Sequence, residues 1–177
     1  MNPILAGFSD EILKLASVLS RHGVRLKGRW SEAEASLLDT ILGALPRRLV
    51  RGNKNLKSIG RAKKLIGGPP GAPGHSMYKP VKGKHGGTLV IFDKGVYDLH
   101  GKIDAVLFGK SVLHELSHSF DDNLPIAFGK PPFITEYAAT SPKEDWAESF
   151  AEFYLHPKLL KRKAPRKYEA IDIFTGD

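Results

Sequence analysis

The sequence predicts a single α+β domain, and three observations lead to this prediction. The chain has 177 residues, 41% of them hydrophobic, which is enough to bury one core. Apolar residues recur at helical spacing in several segments, whereas the β-branched run at 88–92 has the composition of a strand. No apolar run approaches the roughly 18–20 residues that span a bilayer, so we expect no membrane segment.

The N-terminal part of the chain is expected to be helical. One amphipathic helix is predicted after the N-cap residue Ser9. A second is predicted after Ser31, which forms a capping-box pattern with Glu34, and Pro46 is expected to end it. A short strand is predicted around residues 56–59.

The middle of the chain begins with a predicted loop. Gly and Pro dominate residues 67–80, and both residue types break regular structure. The predicted strand at 88–92 follows, either buried or at the edge of the sheet. If it is an edge, an extended peptide could pair with it; otherwise its role is structural.

Two helices are predicted to follow the strand. The first ends with the segment 111–120, and its start lies between residues 104 and 110. The second spans about 142–156, because Ser141 is a good N-cap and Pro142 suits the first helical position.

Charge is distributed unevenly along the chain, which carries a formal net charge of +8. Residues 1–66 hold 13 Lys/Arg against 5 Asp/Glu, residues 67–157 hold 8 against 11, and residues 158–177 hold 6 against 3. We therefore distinguish a basic helical N-terminal region within the same domain, a core and a basic C-terminal tail. A basic face can bind nucleic acid or an acidic partner, but a solvated face explains it more simply, so nucleic acid is not the expected partner.

The absence of cysteine narrows the chemistry. Disulfide scaffolds, thiolate zinc sites, iron–sulfur clusters and cysteine nucleophiles are all excluded. Any metal ion must therefore be held by His, Asp or Glu side chains.

The segment at 114–118 carries the strongest chemical signal, because it reads His-Glu-Leu-Ser-His. On a helix, His114 and His118 lie one turn apart on the same face and can bind one metal ion. Glu115 is rotated by about 100° around the helix axis. It is therefore poorly placed as a third ligand but able to take a proton from a water on the metal. Two solvated histidines are the simpler alternative.

A catalytic zinc site needs a third protein ligand, and the later helix offers carboxylates for it. Glu144, Glu148 and Glu152 lie at i, i+4 and i+8, on one helix face. One can bind the metal while its neighbour supports a histidine. Glu144 also completes a capping-box pattern with Ser141, so the residues alone leave Glu144 and Glu148 as alternative ligands.

Asp121 is a further acidic residue close to the motif, and Asp122 follows it. Either carboxylate could orient a histidine, cap the end of the helix or bind nothing.

Two motifs together resemble a known group of enzymes. The segment His-Glu-Leu-Ser-His, followed by the stretch 135–154 with Tyr137 seven residues before Glu144, is similar to the zinc metallopeptidases related to anthrax lethal factor and the bacterial Pro-Pro endopeptidases. The resemblance covers about residues 85–156. Ser117 departs from the pattern, because such motifs commonly carry Gly there, which implies slightly different packing.

The resemblance implies a zincin-like α+β fold with a small twisted sheet, an active-site helix and a second helix that supplies the third ligand. It also implies a set of site residues. It makes His114, His118 and Glu144 the zinc ligands and Glu115 the general base. It also implies that Tyr137 donates a hydrogen bond to the oxyanion and that Glu148 supports the ligands from behind.

The function expected from this resemblance is the zinc-dependent hydrolysis of peptide bonds, as an endopeptidase acting on a peptide or protein substrate. The alternative is a non-catalytic, metal-containing protein whose basic N-terminal region binds an acidic partner or nucleic acid. Members of the group are often exported, although the N-terminus shows no evident signal peptide.

Overall fold

A computed structural model of the chain describes residues 21–64, 74–81 and 85–176. In these residues it contains a four-stranded sheet and six α-helices, in agreement with the predicted α+β class. The helix predicted after Ser9 lies outside the described residues. None of the helices in the described part of the chain combines the length and hydrophobicity needed to cross a bilayer.

The sheet mixes parallel and antiparallel pairing. Its strands are β1 (Arg25–Lys27), β2 (Leu56–Ala62), β3 (Ser76–Lys79) and β4 (Gly87–Phe92). Their spatial order is β1-β2-β4-β3, with β3 antiparallel to β4 and the other pairs parallel. The strands predicted around 56–59 and at 88–92 are therefore confirmed.

One expectation about this sheet is wrong. The region 67–80 is not loop throughout, because Ser76–Lys79 forms β3 and takes its register from β4. Of the two alternatives for the strand at 88–92, the structure shows the interior one, since β4 pairs with β2 on one side and β3 on the other. A four-residue strand beside a Gly- and Pro-rich stretch carries little local signal, so its formation depends on the partner strand.

The described part of the chain contains six helices. They are α1 (Glu32–Gly43), α2 (Arg47–Val50), α3 (Ala105–Ser117), α4 (Pro142–Leu155), α5 (Pro157–Lys163) and α6 (Pro165–Thr175).

Three helices start directly after a capping residue. The Ser31 hydroxyl accepts a hydrogen bond from the Glu34 backbone N–H at 3.2 Å, and Glu34 accepts one from the Ser31 N–H at 2.7 Å. Helix α4 begins after Ser141, with Pro142 in its first turn. Asp104 caps α3 by accepting from two backbone N–H groups. The predicted capping box and the predicted start of α4 are thus confirmed. Helix α3 starts within the predicted range, but it ends at Ser117 and a 3₁₀ turn continues it, so its predicted end near residue 120 is wrong.

The core lies between the sheet and the helices. Helix α3 packs against β3, β4 and α1, and α4 packs against α3. The largest side chains that are fully buried include Trp146, Phe108, Phe150, Ile59 and Leu89. Burial of residues this large is the main source of stability and fixes α3 and α4 relative to each other.

The segment 158–177, which we predicted to be a basic tail, folds into most of α5 and all of α6. It contributes Leu160 and Ile171 to the core. Lys167 on α6 is 2% exposed and Asp145 on α4 is fully buried. The Lys167 ammonium donates to Asp145 at 2.6 Å and to the Pro132 carbonyl at 2.7 Å. The Asp145 carboxylate also accepts from the Gly129 N–H, so one ion pair ties α6, α4 and the loop before α4 together.

We predict that Lys167→Ala destabilises the protein by about 3–5 kcal/mol, because it leaves the Asp145 carboxylate buried without its cation. Lys158→Ala is the matched control: Lys158 is exposed on α5, and its loss is expected to change the free energy of unfolding by no more than about 0.5 kcal/mol. Chemical denaturation of both variants measures the difference. Equal stabilities would show that the ion pair contributes little.

Candidate metal centre

Three potential ligands meet where α3 ends and α4 begins. His114 lies in the last turn of α3, and His118 begins the 3₁₀ turn His118–Asn123 that continues it. Glu144 lies in the first turn of α4, where the Ser141 hydroxyl accepts from its backbone N–H at 3.2 Å. Because α3 and α4 pack against each other, the Glu144 carboxylate faces both imidazoles.

The spacing of the three side chains suits a metal ion. The two Nε2 atoms of His114 and His118 are 3.3 Å apart, and Glu144 Oε2 lies 3.1 Å from the first and 3.6 Å from the second. A tetrahedral ion with bonds of about 2.0–2.1 Å holds its ligand atoms about 3.3–3.4 Å apart. The group His114, His118 and Glu144 could therefore hold a metal ion.

One buried atom also supports a metal ion at this position. Glu144 Oε2 is buried and has no hydrogen-bond partner among the residues that the structure describes, although one nitrogen of each imidazole is close to it. A buried carboxylate oxygen without a partner is costly. A cation between the three ligand atoms would satisfy it.

Each histidine has a carboxylate at its other ring nitrogen. Glu148 Oε1 lies 3.0 Å from His114 Nδ1, and Asp121 Oδ1 lies 3.1 Å from His118 Nδ1. Such a contact fixes the ring orientation and leaves Nε2 for the metal. Glu148 thus contacts His114, and of the alternatives considered for Asp121 the structure shows the one in which it contacts a histidine.

The acidic groups around the centre are ionised. Burial would raise the pKa of Glu144, but the imidazoles of His114 and His118 beside it lower that pKa to about 2. Burial acts in the same direction on Glu148, and His114 and Lys110 lower its pKa to about 2 as well. The site therefore presents negative charge toward the position between the ligands.

Glu115 is close to this group but does not belong to it. Its side chain is buried, and Oε1 accepts a hydrogen bond from the Ser76 hydroxyl of β3 at 2.9 Å. Burial raises the pKa of Glu115, and the nearby His114 and His118 offset part of this effect. The structure thus holds a carboxylate beside the cluster that is tied to the sheet and not to the ligands.

Tyr137 lies against the cluster from the loop before α4. Its ring stacks on the His114 ring with the centroids 5.9 Å apart. Its pKa rises to about 12 because of burial and the negative charge of Glu144 and Glu115. The hydroxyl therefore keeps its proton at neutral pH.

Ser117, where the motif commonly has Gly, forms hydrogen bonds with backbone and indole groups. It is fully buried, its hydroxyl donates to the His114 carbonyl at 2.6 Å, and its own carbonyl accepts from the Trp146 indole at 3.1 Å. The side chain fits beside α4 without displacing the ligands.

Three residues that bond to the carboxylates beside the ligands were not predicted from the sequence. Ser76, in a segment predicted to be loop, donates to Glu115. Lys110 on α3 and Thr135 in the loop before α4 donate to Glu148. Lys110 could have been found, because it lies four residues before His114 on the same helix face. The other two depend on contacts between distant parts of the chain.

No protein-family model and no curated protein matches the chain. The resemblance described above therefore rests on the motifs of this chain.

We predict that the full chain binds one divalent metal ion and that His118→Ala loses it, because only two ligands remain. Glu115→Gln is expected to keep the ion, since Glu115 is not one of the clustered ligands. Elemental analysis of the purified proteins after incubation with Zn²⁺ and removal of excess metal measures the stoichiometry. Loss of the ion from Glu115→Gln would show that Glu115 is a ligand.

We predict that metal binding strengthens as the pH rises. Burial alone would lower the pKa of His118, but the carboxylates of Asp121 and Glu144 beside it raise that pKa to about 10, and Glu144 and Glu148 raise the pKa of His114. His118 is therefore protonated at neutral pH without metal, and binding should release protons. Calorimetry of Zn²⁺ binding in buffers of different ionisation enthalpy counts them. Binding without proton release would contradict this protonation state.

Proposed function

We propose that the protein is a zinc-dependent metallopeptidase that hydrolyses internal peptide bonds. The observation that carries the proposal is a three-ligand cluster with a separate buried carboxylate beside it. A structural zinc site is usually closed by four protein ligands, whereas a catalytic site keeps one position open. His114, His118 and Glu144 supply three ligand atoms, and Glu115 is held apart from them by Ser76.

Zinc is the metal that this ligand set favours. Two imidazoles and one carboxylate form a typical catalytic zinc set, and the chain has no cysteine. When bound, zinc supplies a Lewis acid that lowers the pKa of a water molecule and polarises a carbonyl group.

Glu115 would act as the general base. Its raised pKa suits a group that takes a proton from the attacking water and later returns it to the leaving amine. The hydrogen bond from Ser76 fixes one carboxylate oxygen, so the orientation of the carboxylate is set before substrate binds.

Tyr137 would stabilise the oxyanion that forms when water adds to the peptide carbonyl. Its hydroxyl keeps its proton because its pKa is raised to about 12, and its ring is held against His114. A donor placed in advance lowers the barrier without reorganisation during the reaction.

Strand β3 is the surface that we propose for substrate binding, in place of the strand at 88–92. It is the outermost strand on its side of the sheet among the described residues. Ser76 at its start contacts Glu115, so this strand lies beside the cluster. An extended peptide that added to the edge of β3 could continue past the cluster in both directions, as cleavage within a chain requires.

We predict that Glu115→Gln abolishes peptide hydrolysis while the protein keeps its zinc, because the amide cannot accept the proton. The assay is digestion of a mixed peptide library, with the products identified by mass spectrometry. Glu136→Gln is the matched control: Glu136 is exposed one residue before Tyr137, and its activity should equal that of the wild type.

Equal cleavage by wild type and Glu115→Gln would contradict the assigned base. A wild type that binds zinc and leaves every peptide intact would contradict the peptidase proposal. That result would favour the non-catalytic metal-containing binding protein.

A further inference from the structure

We infer that Thr135 is a positioning residue whose hydroxyl couples the carboxylate behind His114 to the turn that carries Tyr137. The Thr135 hydroxyl donates to Glu148 Oε2 at 2.8 Å and accepts from the Ala138 backbone N–H at 3.0 Å. One side chain thus contacts the supports of both a ligand and the proposed oxyanion donor. The part that concerns Tyr137 rests on the proposed function; the part that concerns His114 rests on the cluster alone.

On the ligand side, Thr135 completes the environment of Glu148. One oxygen of this buried carboxylate faces His114 Nδ1 at 3.0 Å. The other accepts from Lys110 Nζ at 2.9 Å and from Thr135. A carboxylate held at both oxygens has a fixed plane, and this plane fixes the ring of His114.

On the other side, Thr135 stabilises the turn Tyr137–Thr140. The first N–H groups of a helical turn have no partner within the turn. The residue directly before this turn, Glu136, provides no side-chain cap, and Thr135 accepts from Ala138 instead. Ala138 is fully buried, so its N–H group needs that partner, and Tyr137 precedes it in the chain.

The two bonds use different properties of one hydroxyl, which makes the coupling testable. Valine has nearly the shape of threonine but neither donates nor accepts, whereas serine does both. A residue with only a structural role would change stability, but it would leave metal affinity and turnover of the folded protein unchanged.

The first experiment measures Zn²⁺ affinity of the full chain by competition with a chelator of known affinity. We expect Thr135→Val and Lys110→Met each to bind Zn²⁺ about 10–100-fold more weakly, the usual loss when the group behind a ligand is disturbed. Thr135→Ser should stay close to the wild type. Thr40→Val is the control, since the exposed Thr40 hydroxyl donates to the Ser36 carbonyl of the same helix, α1.

The second experiment measures peptide hydrolysis with every variant saturated with zinc. Thr135→Val should lower kcat with little change in KM, because it loosens the turn that holds Tyr137. Tyr137→Phe removes one oxyanion donor and should lower kcat about 10²–10³-fold. In that background, Thr135→Val should have a much smaller further effect on kcat, since the hydroxyl that it positions is gone.

Unchanged Zn²⁺ affinity in Thr135→Val, or an equal loss in Thr135→Ser, would overturn the coupling to His114. Effects on kcat that multiply independently in the double variant would overturn the coupling to Tyr137. If Thr135→Val does not fold, as judged by circular dichroism, Thr135→Ala replaces it in both experiments. If the wild type hydrolyses no peptide, the proposed function fails, and the Zn²⁺ affinities alone decide the inference.

Discussion

The contact between α3 and α4 is the constraint on which the candidate centre depends. The two histidines lie one turn apart, on α3 and on the 3₁₀ turn that continues it, and face carboxylates one turn apart on α4. Neither row could hold an ion alone. Trp146 fixes the distance between the helices, because its ring is fully buried and its indole N–H bonds to the Ser117 carbonyl. The large buried side chain that stabilises the core therefore also sets the ligand distances.

The packing of α3 against α4 places several carboxylates close together, which costs free energy. Glu115, Glu144 and Glu148 lie close together in the protein, and Lys110 and the two imidazoles are the cationic groups beside them. Burying like charges costs free energy unless a cation or a proton neutralises them. The raised pKa values of the two histidines are one form of this compensation, and a bound metal ion would be the other. Without metal the site attracts protons, and a metal ion would displace them.

The sequence predicts those parts of the fold and site that depend on local spacing. Ser31 with Glu34 and Ser141 with Pro142 mark helix starts, and the i, i+4 spacing of His114 and His118 places them together. The rest depends on contacts between distant segments. Strand β3 has too few residues to be recognised without β4, and the role of Asp121 depends on how the chain turns after α3.

The prediction of a basic C-terminal tail differs from the structure for the same reason, because the role of this segment depends on contacts with distant residues. Six basic residues in 158–177 look like a solvated surface, and nothing in their spacing distinguishes Lys167 from the others. Its role becomes clear only when α6 packs on α4 and places its ammonium against Asp145.

Asp145 follows Glu144 directly, so the ion pair and the metal ligand share one turn of α4. The Asp145 side chain is fully buried beside Lys167, while the Glu144 carboxylate faces the histidines. Adjacent helix residues point about 100° apart, so this turn can serve two sites at once. The Lys167–Asp145 pair also holds the Pro132 carbonyl and the Gly129 N–H, in the loop that leads to Tyr137. The C-terminal helix is therefore part of what holds both a ligand and the proposed oxyanion donor in place, although none of its residues belongs to the cluster.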